Sequence, residues 1–297
     1  MNKKIKTADT RSEIFTAPRT KGQLIGYVRR FLKISISERS IIEGHQAPID
    51  YLWYTYGRDF SPTATNGDCV VCANRGGGKT LLGAAATLLD CVFKPRCQVR
   101  ILSGSEYQAG RMYEYFQSFV TMGYEKLVAK VIKWPKRKTI FLNGASVEVL
   151  TQSETSVRGP HVHKVRCDEV ELFKPAVYEA AQYTTMSGNG LVGAFESIST
   201  MHQSYGLMKQ ALKRAQKNGM SIFIWNLWDV IERCEKRDCQ KCAIWLICKG
   251  KAKNGEGYYR IDDAISQMSR TSTSSFRLEA LCGQDTQKNS VQNWRRY

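Results

Sequence analysis

The sequence has 297 residues, enough to bury a full hydrophobic core. Its 44 lysines and arginines outnumber 27 aspartates and glutamates, which gives a formal net charge of +17. We therefore expect a polyanionic partner, nucleic acid before membrane, because no apolar run is long enough to span a bilayer. The ten cysteines lie in apolar runs or in one late group. That distribution argues against a disulfide framework and fits a reducing cytosol.

The first forty residues are strongly basic, with ten Lys or Arg against three Asp or Glu. Within them, an apolar stripe at helical spacing predicts an amphipathic helix. The stripe consists of Leu24, Ile25, Val28, Phe31 and Leu32. Two interpretations stay open: a DNA-facing basic arm, or a solvated helix whose stripe docks on the core.

His45 and Gln46 come just before Pro48 and an aromatic segment at residues 49–56 that is predicted to be helical. A polar and aromatic element upstream of a phosphate loop can recognise adenine by hydrogen bonding and stacking. Entry of the chain into the helix ahead of Pro48 explains the same residues equally well.

The stretch at residues 68–90 combines three signals in order. A short apolar run predicts a buried strand, residues 73–80 read ANRGGGKT, and an Ala- and Leu-rich segment of high helix propensity follows. Strand, glycine loop and helix form a phosphate-binding arrangement. Backbone N–H groups can surround a polyphosphate only where side chains do not intrude, and the helix N-terminus adds partial positive charge.

Each polar residue of this loop has an expected role. Lys79 should reach the β- and γ-phosphates, and the Thr80 hydroxyl should bind Mg²⁺. Ala73 stands where the general pattern G-x-x-x-x-G-K-[ST] has its first glycine. With the acid described below, the predicted ATP- and Mg²⁺-binding residues are Asn74, Gly76, Gly77, Gly78, Lys79, Thr80, Leu81 and Asp168.

After the loop helix, the sequence predicts a strand at residues 98–103 and a helix at residues 106–120. Apolar runs on either side of Asn143-Gly144 predict a β-hairpin. Four basic residues precede it and either contact DNA or form a solvated turn: Lys133, Lys136, Arg137 and Lys138.

Asp168 and Glu169 follow a short strand and form the second chemical site. Nucleotide hydrolysis needs a carboxylate at a strand end to hold Mg²⁺ and a second acid to activate the attacking water. We assign these roles to Asp168 and Glu169 respectively, with Glu171 as the alternative base. Lys164 and Arg166 make this strand less apolar than is usual.

Another predicted strand, residues 193–200, ends with the hydroxyl residues Ser199 and Thr200. Hydroxyl groups at such a strand end can sense the γ-phosphate and pass its loss to a neighbouring element. A Ser/Thr turn is the alternative interpretation.

Four cysteines lie close together late in the chain, in the pattern C-x4-C-x2-C-x5-C: Cys234, Cys239, Cys242 and Cys248. Four thiols at this spacing predict a structural Zn²⁺ site. An iron–sulfur cluster also uses four cysteines. The remaining interpretation is four free thiols packed around Trp245.

In this order, the motifs resemble those of the ATPase portion of a tailed-phage terminase large subunit, the motor that packages DNA. The resemblance extends from about residue 40 to about residue 285. Its most specific parts are ANRGGGKT at 73–80, SVRGPHVHKVRCDEVE at 156–171 and SISTMHQSYG at 197–206, similar to the family's Walker A, Walker B and coupling motifs. The resemblance implies that Arg75 is a charge-stabilising finger, with Arg158 a lesser candidate for phosphate sensing.

Motifs and resemblance together predict an α/β fold, a P-loop NTPase of RecA/ASCE type with a mainly parallel sheet flanked by helices. We expect a basic arm at residues 1–40, an ATPase domain at 41–224 and a Cys-rich basic subdomain at 225–297. The implied function is ATP-driven translocation of double-stranded DNA into a procapsid in the host bacterial cytoplasm. ATP and Mg²⁺ are the implied cofactors, and the terminase small subunit, the portal protein and further copies of the chain are implied partners.

Members of the family normally continue into a nuclease domain, for which no room remains before Tyr297. We therefore expect no nuclease activity from this chain, which looks like a truncated form, a prophage remnant or one product of a split gene. Two other functions stay open. One is a helicase-like, nucleic-acid-dependent ATPase, and the other is a degenerate prophage protein that binds DNA without hydrolysing ATP.

Overall fold

The computed structural model describes residues 13–61, 63–104, 106–133, 137–150, 157, 159, 161–202 and 205–283. Lys136 and Arg158, both singled out above, lie outside these residues, as does the start of the basic arm. Within the described part, no helix is long and apolar enough to cross a membrane.

The elements of the described residues alternate between helix and strand through most of the chain. The first half contains α1 (Lys21–Phe31), α2 (Pro48–Gly57), β1 (Cys69–Ala73), α3 (Lys79–Phe93), β2 (Gln98–Ser103), α4 (Glu106–Val120), β3 (Val128–Ile132), β4 (Lys138–Phe141) and β5 (Ser146–Val149). The second half contains β6 (Lys164–Asp168), α5 (Pro175–Gln182), β7 (Ala194–Ser199), α6 (Leu207–Lys217), β8 (Ser221–Trp225), α7 (Leu227–Val230), α8 (Trp245–Cys248), α9 (Ile261–Arg270) and α10 (Thr273–Leu281).

Within the described ranges, eight strands form one sheet in the order β3-β4-β5-β2-β6-β7-β1-β8. The six strands from β5 to β8 in this order run parallel, whereas β3, β4 and β5 pair antiparallel. β7 lies between β1 and β6. Because parallel strands end at the same edge, the loops after β1, β6 and β7 are neighbours. The predicted P-loop fold with a mainly parallel sheet is confirmed.

The sequence patterns also locate the individual elements correctly. All five residues of β1 are buried, as expected for an apolar run in a central parallel strand. The amphipathic stripe forms α1, which Thr20 caps through the backbone N–H of Gln23. Leu24 and Val28 are buried in the main core, so α1 docks on the core as the second interpretation of this segment expected.

The two basic residues of β6 are buried in ion pairs. Arg166 lies 2.7 Å from Asp90 on α3 and donates to Glu196 on β7 over 3.2 Å. Burial by itself lowers the pKa of Arg166, but the carboxylates of Glu196 and Asp90 outweigh it and hold the pKa well above its usual range. The arginine therefore stays charged and joins three elements beneath the candidate site.

A second set of buried charges extends the ion-pair network of Arg166 to Lys164, the first residue of β6. Lys164 lies 3.0 Å from Asp59, and Lys94 lies 2.5 Å from both Asp59 and Asp90. Each charge thus has an opposite partner, which offsets the cost of taking it out of water. Strand β6 can therefore contain Lys164 and Arg166 and still be buried, because both side chains are in ion pairs.

The C-terminal part of the described chain has a hydrophobic cluster of its own. It includes Trp228, Ile244, Ile261 and Phe276, and the partly buried Ile41 packs against it. β8 precedes this cluster and belongs to the sheet. The domain boundaries given above stay a prediction.

We predict that Arg166→Met lowers the free energy of unfolding by roughly 3–5 kcal/mol, because it leaves the buried Glu196 without a counter-charge and removes one of the two cations beside Asp90. Urea denaturation would measure the change. Arg214→Met is the matched control: half exposed and 3.7 Å from Glu179, Arg214 should contribute less than about 1 kcal/mol. Equal effects of the two substitutions would contradict the role given to the network.

Candidate functional site

The glycine loop after β1 requires glycine at particular positions. Gly78 has φ of +78° and directly precedes α3, a backbone conformation that side chains disfavour. At Gly77, a Cβ atom would lie 2.3 Å from Oδ1 of the buried Asn74. Ala73, in contrast, is the last residue of β1 and has extended backbone, so a methyl group replaces the first glycine of the pattern without strain.

Two residues that sequence reasoning missed contact backbone carbonyls of this loop. The indole N–H of the fully buried Trp225 donates to the Gly77 carbonyl over 2.7 Å. The Tyr258 hydroxyl lies 3.4 Å from the Gly76 carbonyl. Trp225 ends an apolar run, which was an available signal, whereas no local pattern points to Tyr258.

Lys79 and Thr80 meet the acidic pair directly. The buried Lys79 ammonium donates to the Thr200 hydroxyl over 2.6 Å and lies 3.3 Å from Glu169 Oε1. Thr80 Oγ1 donates to Asp168 Oδ2 over 2.8 Å. The structure therefore brings together the predicted phosphate loop, the predicted acids and one predicted coupling residue.

Glu169 is held in an unusual backbone conformation, with φ of +55°. Non-glycine residues in this region cluster at functional sites, where the surroundings impose the strain. Its second oxygen, Oε2, lies 3.4 Å from Ser199 Oγ and 3.6 Å from His202 Nε2. Burial raises the pKa of Glu169, but the contacts with His202 and Lys79 outweigh it and lower the pKa to about 2. The carboxylate is therefore ionised while Lys79 contacts it.

Asp168 has the opposite electrostatic behaviour. Burial, followed by the charge of Glu169, raises its pKa to about 6, although the Lys79 charge acts against the rise. Asp168 Oδ1 is buried and makes no hydrogen bond within the described residues. A carboxylate oxygen left without a partner beside the Thr80 hydroxyl offers the hard oxygen ligands that Mg²⁺ prefers.

Glu171, the alternative base, has a different task. Its Oε2 accepts from the backbone N–H of Met208 over 2.7 Å, at the first turn of α6. A carboxylate at a helix N-terminus is a stabilising cap. Glu169 is therefore the better candidate for the base.

Lys79, Thr80, Asp168 and Glu169 line one open cavity of about 750 Å³, within the range of small-molecule sites. Of the predicted nucleotide-binding residues, it is lined by Gly76, Gly78, Lys79, Thr80, Leu81 and Asp168. Other lining residues were not predicted and include Leu32, Ile34, Ile36 and Tyr115. The alternation of apolar and polar residues at 32–36 was a signal that could have found it.

His45 and Gln46, the residues predicted for adenine, are engaged elsewhere. His45 Nδ1 lies 2.5 Å from Asp229, and Gln46 Oε1 accepts from the backbone N–H of Ile224 over 3.0 Å. Neither lines the cavity. The adenine assignment stays a prediction, and the contacts give both residues a structural role around β8 and α7.

Arg75 is the most exposed charged residue of the loop, with a side chain 73% accessible, and it lines the cavity. Its backbone N–H donates to the Glu279 carbonyl on α10 over 2.8 Å, and its guanidinium lies 4.0 Å from the Glu279 carboxylate. The side chain is thus held loosely where it could reach a phosphate.

The four late cysteines line a second, small cavity with Trp228 and Trp245. Cys248 is buried, and the other three are partly exposed. As placed, no three His, Cys, Asp or Glu side chains of the described chain are arranged to hold a metal.

Comparison with known proteins identifies relatives of this arrangement. Residues 71–227 match the family described as "Terminase large subunit, T4likevirus-type, N-terminal". No curated protein matches the sequence. The large terminase of bacteriophage HK97 shares the fold with a TM-score of 0.61 at 18% identity, over 89% of this chain and 55% of its own. This chain thus spans about half the length of that relative.

Two further structures are more distant. The large terminase from a thermophilic bacteriophage, in complex with ATP-gamma-S, gives a TM-score of 0.45 at 13% identity, over 60% of this chain and 44% of its own. The large terminase ATPase domain of Thermus phage P74-26 gives a TM-score of 0.38 at 13% identity, over 77% of this chain and 95% of its own. Both scores are too low to add to the argument for the fold.

The site predicts a pH-dependent contribution to stability from His202. Contacts with Glu169 and Glu279 raise its pKa from 6.5 to about 9, although burial opposes the rise. Because the folded pKa is the higher one, the contribution is complete below pH 6.5 and is lost as the pH rises through 9. The difference in Tm between wild type and His202→Gln should therefore shrink over this interval in thermal melts. A difference independent of pH would contradict the assignment.

Proposed function

The chain belongs to the terminase large subunits of the T4-like virus type, whose N-terminal region it matches, and on that premise we propose that it hydrolyses ATP to translocate double-stranded DNA. The nucleotide would bind in the cavity between the glycine loop and the acidic pair. The same proposal includes packaging into a procapsid, with the terminase small subunit, the portal protein and further copies of the chain as partners. So does the host bacterial cytoplasm as its location.

One observation carries the proposal of hydrolysis: Lys79 lies 3.3 Å from Glu169 while the adjacent Thr80 bonds to Asp168. Groups that we propose to bind phosphate and to activate water, from two distant parts of the sequence, are thus in direct contact. A loop that bound phosphate only for structural reasons would not need an ionised glutamate beside its lysine.

The proposed mechanism follows from these neighbours. Lys79 leaves Glu169 to neutralise the β- and γ-phosphates, and the backbone N–H groups of the glycine loop surround them. Glu169, freed from the ammonium, becomes more basic and accepts a proton from the attacking water. Arg75 stabilises negative charge that develops on the transferred phosphoryl group.

Mg²⁺ fits the residues that are present. The Thr80 hydroxyl and the partnerless Oδ1 of Asp168 would hold it. When bound, Mg²⁺ would neutralise phosphate charge. The raised pKa of Asp168, about 6, still lies below neutral pH. The carboxyl group is therefore mainly ionised there and able to act as a ligand.

DNA as the substrate of translocation is supported by the formal net charge of +17. Ser199 and Thr200 would couple hydrolysis to movement, because they contact Glu169 and Lys79 respectively. The helicase-like ATPase and the non-hydrolysing remnant stay as alternatives. An ATPase assay distinguishes the proposed motor from a non-hydrolysing remnant. Strand-displacement and packaging assays distinguish it from a helicase-like ATPase.

We predict that Lys79→Ala weakens ATP binding, whereas Glu169→Gln retains binding and lowers hydrolysis about a hundredfold or more. The reason is that Lys79 binds phosphate charge and Glu169 acts on the water. Nucleotide binding by fluorescence titration and phosphate release would be measured on each variant. Glu179→Gln, an exposed glutamate outside the site, is the matched control. Normal hydrolysis by Glu169→Gln would overturn the assignment of the base.

The proposal also includes a structural Zn²⁺ held by Cys234, Cys239, Cys242 and Cys248, with an iron–sulfur cluster as the alternative. All four cysteines line one small cavity, which supports the proposal, although their side chains would have to move closer together to hold a metal. The surrounding segment contains only short helical pieces between α7 and α9. A metal would supply folding free energy where little regular structure is present.

We expect elemental analysis to find about one zinc per chain, in line with tetrahedral cysteine sites. Cys239→Ser should release it and lower the Tm, with nucleotide binding preserved because Lys79 and Asp168 lie elsewhere. Cys91→Ser, at a buried cysteine of α3, is the control for loss of a thiol without loss of zinc. Metal-free wild-type protein whose four thiols react freely would contradict the metal site and show that these are ordinary cysteines. Iron and sulfide in the purified protein would instead identify an iron–sulfur cluster.

A further inference from the structure

His202 lies just beyond the end of β7 and belongs to neither the glycine loop nor the acidic pair. Its imidazole stands between two carboxylates: Nδ1 is 2.6 Å from Glu279 Oε1, and Nε2 is 3.6 Å from Glu169 Oε2. Its side chain is 23% exposed, so solvent screens these contacts only in part. The histidine therefore connects the proposed base to α10, the last helix of the described chain.

Glu279 also contacts the glycine loop, through Arg75. Its backbone carbonyl accepts the N–H of Arg75 over 2.8 Å, and its Oε2 lies 4.0 Å from the Arg75 guanidinium. Glu169, His202, Glu279 and Arg75 thus form a continuous series of charged contacts. The series begins at the end of β6 and finishes inside the loop that follows β1.

The two oxygens of Glu169 have different partners. Oε1 faces Lys79, whereas Oε2 faces His202 and Ser199. When Lys79 turns to phosphate, the carboxylate loses its partner at Oε1 and keeps those at Oε2. A carboxylate freed on one side and unrestrained on the other would adopt several rotamers, most of them unable to reach the attacking water.

We propose that His202 is a positioning residue that fixes the Glu169 carboxylate for water activation and ties its position to α10 through Glu279. This inference rests on the proposed ATP hydrolysis. Histidine suits the task because an imidazolium donates from both ring nitrogens, one toward each carboxylate. The raised pKa of His202 is consistent with this doubly donating form.

The connection to α10 gives the arrangement a mechanical consequence. A displacement of Glu279 with α10 moves His202, and a change in the Glu169 carboxylate is transmitted in the reverse direction. The C-terminal cluster, to which α10 contributes Phe276 and Leu281, would therefore respond to the state of the base. Hydrolysis and movement of this part of the chain become linked through three side chains.

The test is steady-state ATP hydrolysis by the full chain with His202→Ala, His202→Gln, Glu279→Gln and the double variant His202→Ala/Glu279→Gln. We expect His202→Ala to lower kcat roughly tenfold to a hundredfold while KM changes less than about twofold, because positioning affects the chemical step and not ATP binding. His202→Gln, which keeps one N–H donor, should recover part of kcat. Because both residues act through one connection, the double variant should be no slower than His202→Ala.

Glu179→Gln, the same substitution as Glu279→Gln at an exposed glutamate outside the site, is the matched control and should leave kcat unchanged. Melting curves on each variant show whether it is folded at the assay temperature. An unchanged kcat in folded His202→Ala, or effects of His202→Ala and Glu279→Gln that multiply in the double variant, would overturn the inference alone. Wild-type protein without ATP hydrolysis would overturn the proposed function together with it.

Discussion

Lys79 lies between the Thr200 hydroxyl and the Glu169 carboxylate, and most of the candidate site depends on that placement. A buried ammonium needs a nearby anion or hydrogen-bond acceptor to offset its loss of water. The ends of β6 and β7 supply both. In the proposed function the phosphates of ATP would replace them, so this one side chain would report directly on whether nucleotide is bound. The glycine loop, the acid and the coupling hydroxyl therefore form one electrostatic unit.

The buried ion pairs beneath the sheet keep this unit in register. Arg166 joins β6 to α3 and β7, two residues before the acid that meets Thr80. Tyr51 of α2 also donates to Glu196 over 2.7 Å, so the helix upstream of the loop is tied to the same charges. Hydrophobic packing alone tolerates small sliding of strands, whereas paired buried charges favour one register. We infer that the network holds the ends of β6 and β7 at a fixed distance from the loop.

The parts of the fold with local signals could be predicted from the sequence. The glycine loop, its flanking strand and helix, and the Asn143-Gly144 hairpin all follow from short-range patterns. Residues whose roles depend on distant partners could not be predicted in this way. His202 lies in the segment that resembles the coupling motif, but the pattern assigns it no role, and its two carboxylates are 33 and 77 residues away in the chain. The same holds for Lys164 and Arg166, whose charge argued against a buried strand until their partners were known.

The most direct test of the account is a structure of this chain with a non-hydrolysable ATP analogue and Mg²⁺. We expect the phosphates on the backbone N–H groups of the glycine loop, Lys79 turned from Glu169 to phosphate, and Mg²⁺ between Thr80 and Asp168. Glu169 should still contact His202. A nucleotide bound outside this cavity, or one that leaves the Lys79–Glu169 pair intact, would contradict the central claim that this ion pair is the resting form of an ATP-hydrolysing site.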